Sequence, residues 1–272
     1  MAVDLHLHTK ASDGALAPDE LVELASNLSL STISVTDHDS VEGIDQAISA
    51  GKRRGVEVIP GVEMSSDLGG KDIHILGYLI DHHDPKLTQI LKSLRESRHD
   101  RALKMVDRLR EMGLEIYLKD VVEMADKGAL GRAHIAKVLL KKGYIHDIQE
   151  AFDRYIGRNA PGYVGKEAYS AAEIIEIIRK VSGVAVLAHP GISGVDDNIP
   201  EFVRAGLQGL EAYHSEHTPE QTKFYLGMAE ELGIIVTGGS DCHGLGSSRG
   251  LIIGSVYVPD KCVDDLKRLK SG

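Results

Sequence analysis

The hydrophobic positions of the chain fall into short runs separated by amphipathic stretches. Seven runs have the length and composition of strands, at residues 3–6, 32–36, 56–60, 73–79, 184–188, 209–213 and 234–237. Between most of them apolar residues recur at helical spacing. One such helix opens at Pro18, where proline fits the first turn and Asp19 and Glu20 complement the positive end of the helix. Strand–helix alternation predicts an α/β fold on a parallel sheet, open or closed into a barrel.

One stretch breaks the alternation. Residues 87–112, 119–126, 133–142 and 148–155 read as helices with no strand between them. The expected organisation is an α/β domain made of residues 1–84 and 165–272, interrupted by a helical insertion at 85–164 that caps it. Residues 263–270 read as a closing surface helix.

Composition narrows the function class. Hydrophobic residues make up 42% and charged residues 26% of 272, which suits an ordinary globular protein. No apolar run approaches the roughly 18 residues of a membrane span, and the start of the chain has no signal-peptide pattern. Cys242 and Cys262 are too few for a disulfide framework. A cytoplasmic protein that does not engage membranes is expected. The net charge of −10 excludes non-specific binding to duplex nucleic acid. A small anion or a single strand end can still bind where metals and a few basic groups reverse the local sign.

The chemistry concentrates where strands end. His6 and His8 lie two apart, so in extended backbone both imidazoles face one side and can share a metal. Asp13 follows in Ser12-Asp13-Gly14, as a ligand or as a turn residue only. Asp37-His38-Asp39 closes the second run, with Asp39 placed to cap the next helix. Glu63 follows Gly61, His74 lies on the fourth run, His189 ends the fifth, and Asp241 and His243 end the last. In a parallel α/β barrel, loops after the strands share one face, so these residues converge on one rim. His74 fits less well, because it lies nearer the start of its strand. His82, His83, His99 and His146 read as solvated or locally bonded histidines.

These residues resemble the PHP family, named for polymerases and histidinol phosphatases. The likeness rests on His6-x-His8, Ser12-Asp13-Gly14, Thr36-Asp37-His38, Gly61-x-Glu63, His74, Ala188-His189-Pro190 and Gly239-Ser240-Asp241-x-His243. It is strongest to the stand-alone branch with a helical insertion, which includes nucleotide 3′-phosphatases and 5′–3′ exoribonucleases. The resemblance implies a distorted seven-stranded (β/α)7 barrel and three divalent ions. His6, His8 and Asp241 would hold the first; His74 and His189 the second, with Glu63 bridging; Asp13, His38 and His243 the third. A carboxylate at Asp13, where some relatives have His, favours manganese, with magnesium, iron(II) or zinc as alternatives.

Metals would activate water and neutralise the anionic ester. The resemblance also places Arg132, His134 and His217 near the substrate phosphate or leaving group. Glu63, Asp241, His134 and His217 are thus the candidate catalytic residues, and Lys166 and Arg249 are further candidates for substrate binding. The expected substrate is a small nucleotide, such as a nucleoside 3′,5′-bisphosphate, or the end of a short single-stranded RNA. Histidinol-phosphate phosphatase, metal-dependent amidohydrolase and a non-catalytic metal-stabilised module stay open as alternatives.

Overall fold

The computed structural model describes residues 2–69, 71–125, 130–165, 169–245 and 250–271. Seven strands form one sheet in sequence order: β1 (Ala2–Leu7), β2 (Leu30–Val35), β3 (Glu57–Leu68), β4 (Lys71–Tyr78), β5 (Val184–Leu187), β6 (Gly209–His214) and β7 (Ile235–Gly239). The sheet curls into a nearly closed barrel, because the backbone after β7 returns to β1. Leu7 bridges Cys242 in parallel, Asp241 N donates to His6 O and His8 N donates to Cys242 O. That approach needs Gly239, where a Cβ would lie 2.4 Å from the His6 backbone nitrogen.

The sheet is not wholly parallel. β3 turns directly into β4, and β4 runs antiparallel to both β3 and β5. The link between Leu68 and Lys71 is far too short for a crossover helix, so a hairpin is the only connection available. Gly69, at φ +59°, supplies the left-handed turn backbone. β3 is also longer than its apolar core, because past Pro60 it carries buried polar side chains, Glu63, Ser65 and Ser66.

Helices cover the barrel. α1 (Pro18–Asn27) and α2 (Ile44–Arg54) bury Leu21, Val22, Ala25, Ala47 and Ala50 against Leu7, Ile33 and Val35. Between β4 and β5 come α3 (Pro85–Glu111), α4 (Leu118–Ala125), α5 (Arg132–Lys141) and α6 (Ile148–Ala151), the last running into a π-helical turn at Phe152–Ile156. These helices have a hydrophobic cluster of their own around Met105, Leu109, Ile116, Val121, Ile135 and Leu139. α7 (Ala171–Lys180), α8 (Pro190–Ser193), α9 (Ile199–Arg204), α10 (Pro219–Leu232) and α11 (Lys261–Ser271) complete the chain. Val3, Leu5, Leu76, Val186 and Leu266 form another buried cluster, which joins the barrel strands to α11.

Candidate metal centre

The reversal of β4 accounts for His74. In an antiparallel strand the start, not the end, lies at the rim where the parallel strands finish, so His74 near the beginning of β4 meets the other candidates. Glu63 sits on β3 itself, fully buried, and is the hub. Its Oε1 lies 2.8 Å from His74 Nδ1 and 3.1 Å from His189 Nε2. Its Oε2 lies 3.3 Å from His6 Nε2, 3.3 Å from His8 Nε2 and 3.1 Å from His38 Nδ1. Asp241 Oδ1 lies 3.0 Å from His8 Nε2 and 3.4 Å from His6 Nε2. Asp13 Oδ1 faces His243 Nε2 at 3.3 Å, and Asp13 Oδ2 faces His38 Nε2 at 4.0 Å.

All nine residues expected as ligands therefore gather in one place. Their donor atoms form compact groups: His6, His8, Glu63 and Asp241; His8, Asp13, His38 and His243; and His38, Glu63 and His74. His189 touches Glu63 and lies 3.4 Å from His74.

The donor set fits bound cations. His6 Nε2, His8 Nε2, His38 Nδ1, His189 Nδ1 and Glu63 Oε2 are buried and have no hydrogen-bond partner among the described residues. Orphaned buried lone pairs are costly unless something electropositive completes them. Burial alone would raise the Glu63 carboxyl, but His38, His74 and His6 outweigh it and hold the group well below the ordinary carboxylate range. Burial works the same way at Asp241, where His6 and His243 prevail and keep it ionised.

Residues beyond the nine orient them. Glu211, on β6 and fully buried, accepts from His6 Nδ1 at 2.9 Å and from the His189 backbone N–H at 2.8 Å. The first contact puts the His6 proton on Nδ1 and turns its Nε2 lone pair toward the cluster. Asp37 accepts from Thr9 N (2.7 Å), Thr9 Oγ1 (2.6 Å) and Ser12 Oγ (2.6 Å), fixing the turn that presents Asp13. Asp4 accepts from Ser240 N at 2.9 Å and Gly254 N at 2.8 Å, anchoring the segment before Asp241. No motif marks Glu211; a lone acid in the apolar run of β6 is its only signal in the sequence. His189 and Asp241 have left-handed backbone, φ 29° and φ 54°. Strain of order 1–3 kcal/mol per residue is typical of such positions and concentrates at functional sites.

Asp39 does not cap a helix. The N-cap of α2 is Gly43, which offers no side-chain cap. The left-handed backbone of Asp39, φ 49°, turns its carboxylate inward to accept from Ser65 N at 2.8 Å and from Arg98 Nε of α3 at 2.5 Å. Arg98 also donates to Ser65 Oγ and the Leu130 carbonyl, so this partly buried arginine joins the inserted helices to the rim.

Arg132 begins α5 and donates to Asp72 Oδ2 of β4 at 2.6 Å, two residues from His74. Its guanidinium also lies over Phe152 and Tyr163, 5.4 and 5.7 Å from the ring centres. His134 is buried, and its Nδ1 accepts from Gly131 N–H at 3.0 Å, which places the ring proton on Nε2. Burial pushes its pKa down to about 4, against the opposing pull of Asp13. His217 uses both nitrogens on the main chain: Nδ1 donates to Ala212 O at 3.0 Å and Nε2 accepts from Gly191 N at 3.2 Å. Lys166 and Arg249 lie outside the described residues.

A PHP domain model matches residues 4–165. A 5′-3′ exoribonuclease from Haemophilus influenzae is 35% identical over 245 residues, 88% of this chain and 89% of that protein. A 3′,5′-nucleoside bisphosphate phosphatase from Chromobacterium violaceum is 33% identical over 250 residues, 90% and 88% of the two. A crystal structure from Bifidobacterium adolescentis, of a protein assigned as a metal-dependent phosphoesterase, matches with a TM-score of 0.89 at 30% identity, covering 98% of this chain and 96% of that one. Barrel, rim and relatives together define a metal-dependent phosphoesterase. The chain belongs to the PHP family.

Proposed function

We propose that the protein hydrolyses phosphate esters of nucleotides in the cytoplasm, acting on nucleoside 3′,5′-bisphosphates or the 5′-phosphorylated end of short RNA. The observation that carries this reading is the gathering of eight further ligand-type side chains around Glu63, with Arg132 at the head of α5 bonded to Asp72, two residues along β4 from His74. The names of the exoribonuclease and bisphosphate phosphatase relatives supply the substrate class.

In this reading His6, His8 and Asp241 hold one ion, His74 and His189 a second, and Asp13, His38 and His243 a third, with Glu63 shared. When bound, divalent ions, manganese by preference, supply Lewis acidity and an activated water. The remaining roles belong to the chain. Arg132 presents a guanidinium and the first turn of α5 to the substrate's second phosphate. His134 acts as a neutral Nε2–H donor, not as an acid, because its Nδ1 is already an acceptor and burial keeps it unprotonated at neutral pH. His217, held at both nitrogens, fixes the α8 turn that follows His189. The helices at 85–164 form the cap that selects what reaches the ions.

The test is a turnover comparison with manganese of adenosine 3′,5′-bisphosphate, a short 5′-phosphorylated RNA and histidinol phosphate. Either nucleotide should exceed histidinol phosphate in kcat/KM by orders of magnitude. Preference for histidinol phosphate would overturn the substrate assignment and leave the metal centre standing.

A further inference from the structure

We propose that Asp45, His82 and His83 form a separate metal site of the zinc class at the root of the inserted helices. Asp45 is the second residue of α2, while His82 and His83 lie in the turn between β4 and α3. Thirty-seven residues of sequence separate Asp45 from His82, yet Asp45 Oδ1 lies 3.0 Å from His82 Nε2 and 3.4 Å from His83 Nε2. Tetrahedral zinc bonds of about 2.0–2.1 Å set neighbouring ligands roughly 3.3 Å apart, close to the spacing of each histidine from Asp45 here.

The turn is organised without any ion. Asp81 N donates to Val181 O at 3.3 Å, and Asp84 N donates to Asp81 O at 3.1 Å. Asp81 Oδ1 accepts from His83 N at 3.1 Å, and Asp84 caps α3 through Lys86 N and Leu87 N. The two rings come to 4.1 Å between centres. The backbone at Asp45 is held within α2, whose Ile44 and Ala47 are buried. An ordinary surface ion pair is worth about 0–1 kcal/mol and needs one imidazole. Here two converge on a single carboxylate oxygen, and the three donor atoms all lie within 4.8 Å of one another.

Chemistry selects the ion. Two imidazoles and one carboxylate suit zinc and its neighbours better than magnesium or manganese, which favour oxygen. Exposure of 69% at Asp45 and 68% at His83 leaves the fourth position to water. Asp81 and Asp84 add negative charge nearby, within the same turn. A cation here would tie α2 to the point where the chain leaves the barrel for α3. The site stands apart from the nine rim residues and shares no ligand with them.

The experiment uses the full chain and zinc as the probe. Crystals of the wild type and of His83→Ala, equilibrated with zinc chloride, are compared by anomalous scattering at the zinc edge. A peak within bonding distance of Asp45, His82 and His83 is expected in the wild type, absent from His83→Ala, with rim peaks alike in both. In solution, titration against a chromophoric chelator should show one zinc equivalent fewer for His83→Ala and for Asp45→Asn. Equal stoichiometry in all three proteins, or rim peaks with none at this turn, would overturn the site.

Discussion

His6 Nδ1 donates to Glu211 Oε1 at 2.9 Å, while the other oxygen of the same carboxylate accepts the His189 backbone N–H. One buried acid on β6 therefore orients two candidate ligands, one from β1 and one from the end of β5. Glu211→Gln keeps the shape but removes the charge that makes His6 a stronger donor to a metal. Orienting partners of this kind are worth about 10–100-fold in metal affinity. Chelator competition should show that loss, with the circular dichroism spectrum unchanged. Wild-type affinity in Glu211→Gln would remove the role.

Asp241 faces His8 and His6 from the opposite side. Asp241→Ala should abolish hydrolysis while the barrel stays folded, since Asp241 belongs to none of its hydrophobic clusters. Thermal unfolding and turnover, measured on one preparation, check both halves. A fully active variant would show that the cluster is not the reaction centre.

Arg132 contacts Asp72 and lies over two aromatic rings, so its guanidinium is preorganised. Arg132→Ala should keep its metals and lose on the order of 2 kcal/mol, roughly 30-fold in kcat/KM, on a nucleoside bisphosphate. A small activated monoester, with no second phosphate, should lose little. Equal losses on both substrates would make the residue structural.

His134 supplies a pH test. Its folded pKa is depressed to about 4, whereas the unfolded ring titrates near 6.5. The unfolded state therefore binds a proton first as pH falls. The stability contribution is complete above about 6.5 and is lost toward 4, by no more than about 1.4 kcal/mol per pH unit. His134→Gln has no such group. Urea unfolding of the metal-free proteins at pH 7 and pH 5 should narrow the gap between wild type and His134→Gln at the lower pH if the wild type starts the more stable, and widen it if it starts the less stable. An unchanged difference would mean that the ring is not held neutral.

Much of the cluster was legible because its candidate ligands sit in short local patterns. His6-x-His8 and Asp241-x-His243 need only extended backbone to aim two side chains one way. The seven strands and the inserted helices were legible for the same reason, since hydrophobic period is local. The rest depended on pairing partners distant in sequence. β4 reads as a strand in either direction; only the two-residue link after Leu68 sets its reversal, and with it the place of His74. Glu211 lies 205 residues from His6, so no spacing marks it. Asp39 looked like a cap because the sequence cannot show Arg98 approaching from α3. His82 and His83 read as solvated or locally bonded, and no spacing marks Asp45, 37 residues before His82, as their partner.

The contacts that close the barrel join its two extremes: Asp241 N donates to His6 O, and Asp13 faces His243. No contiguous piece that stops short of residue 241 can own a complete centre, however well its first strands fold. During synthesis the nascent chain thus stays catalytically silent until residues 241–243 have left the ribosome. A metal-dependent phosphoesterase is thereby kept inactive until its last strand is in place.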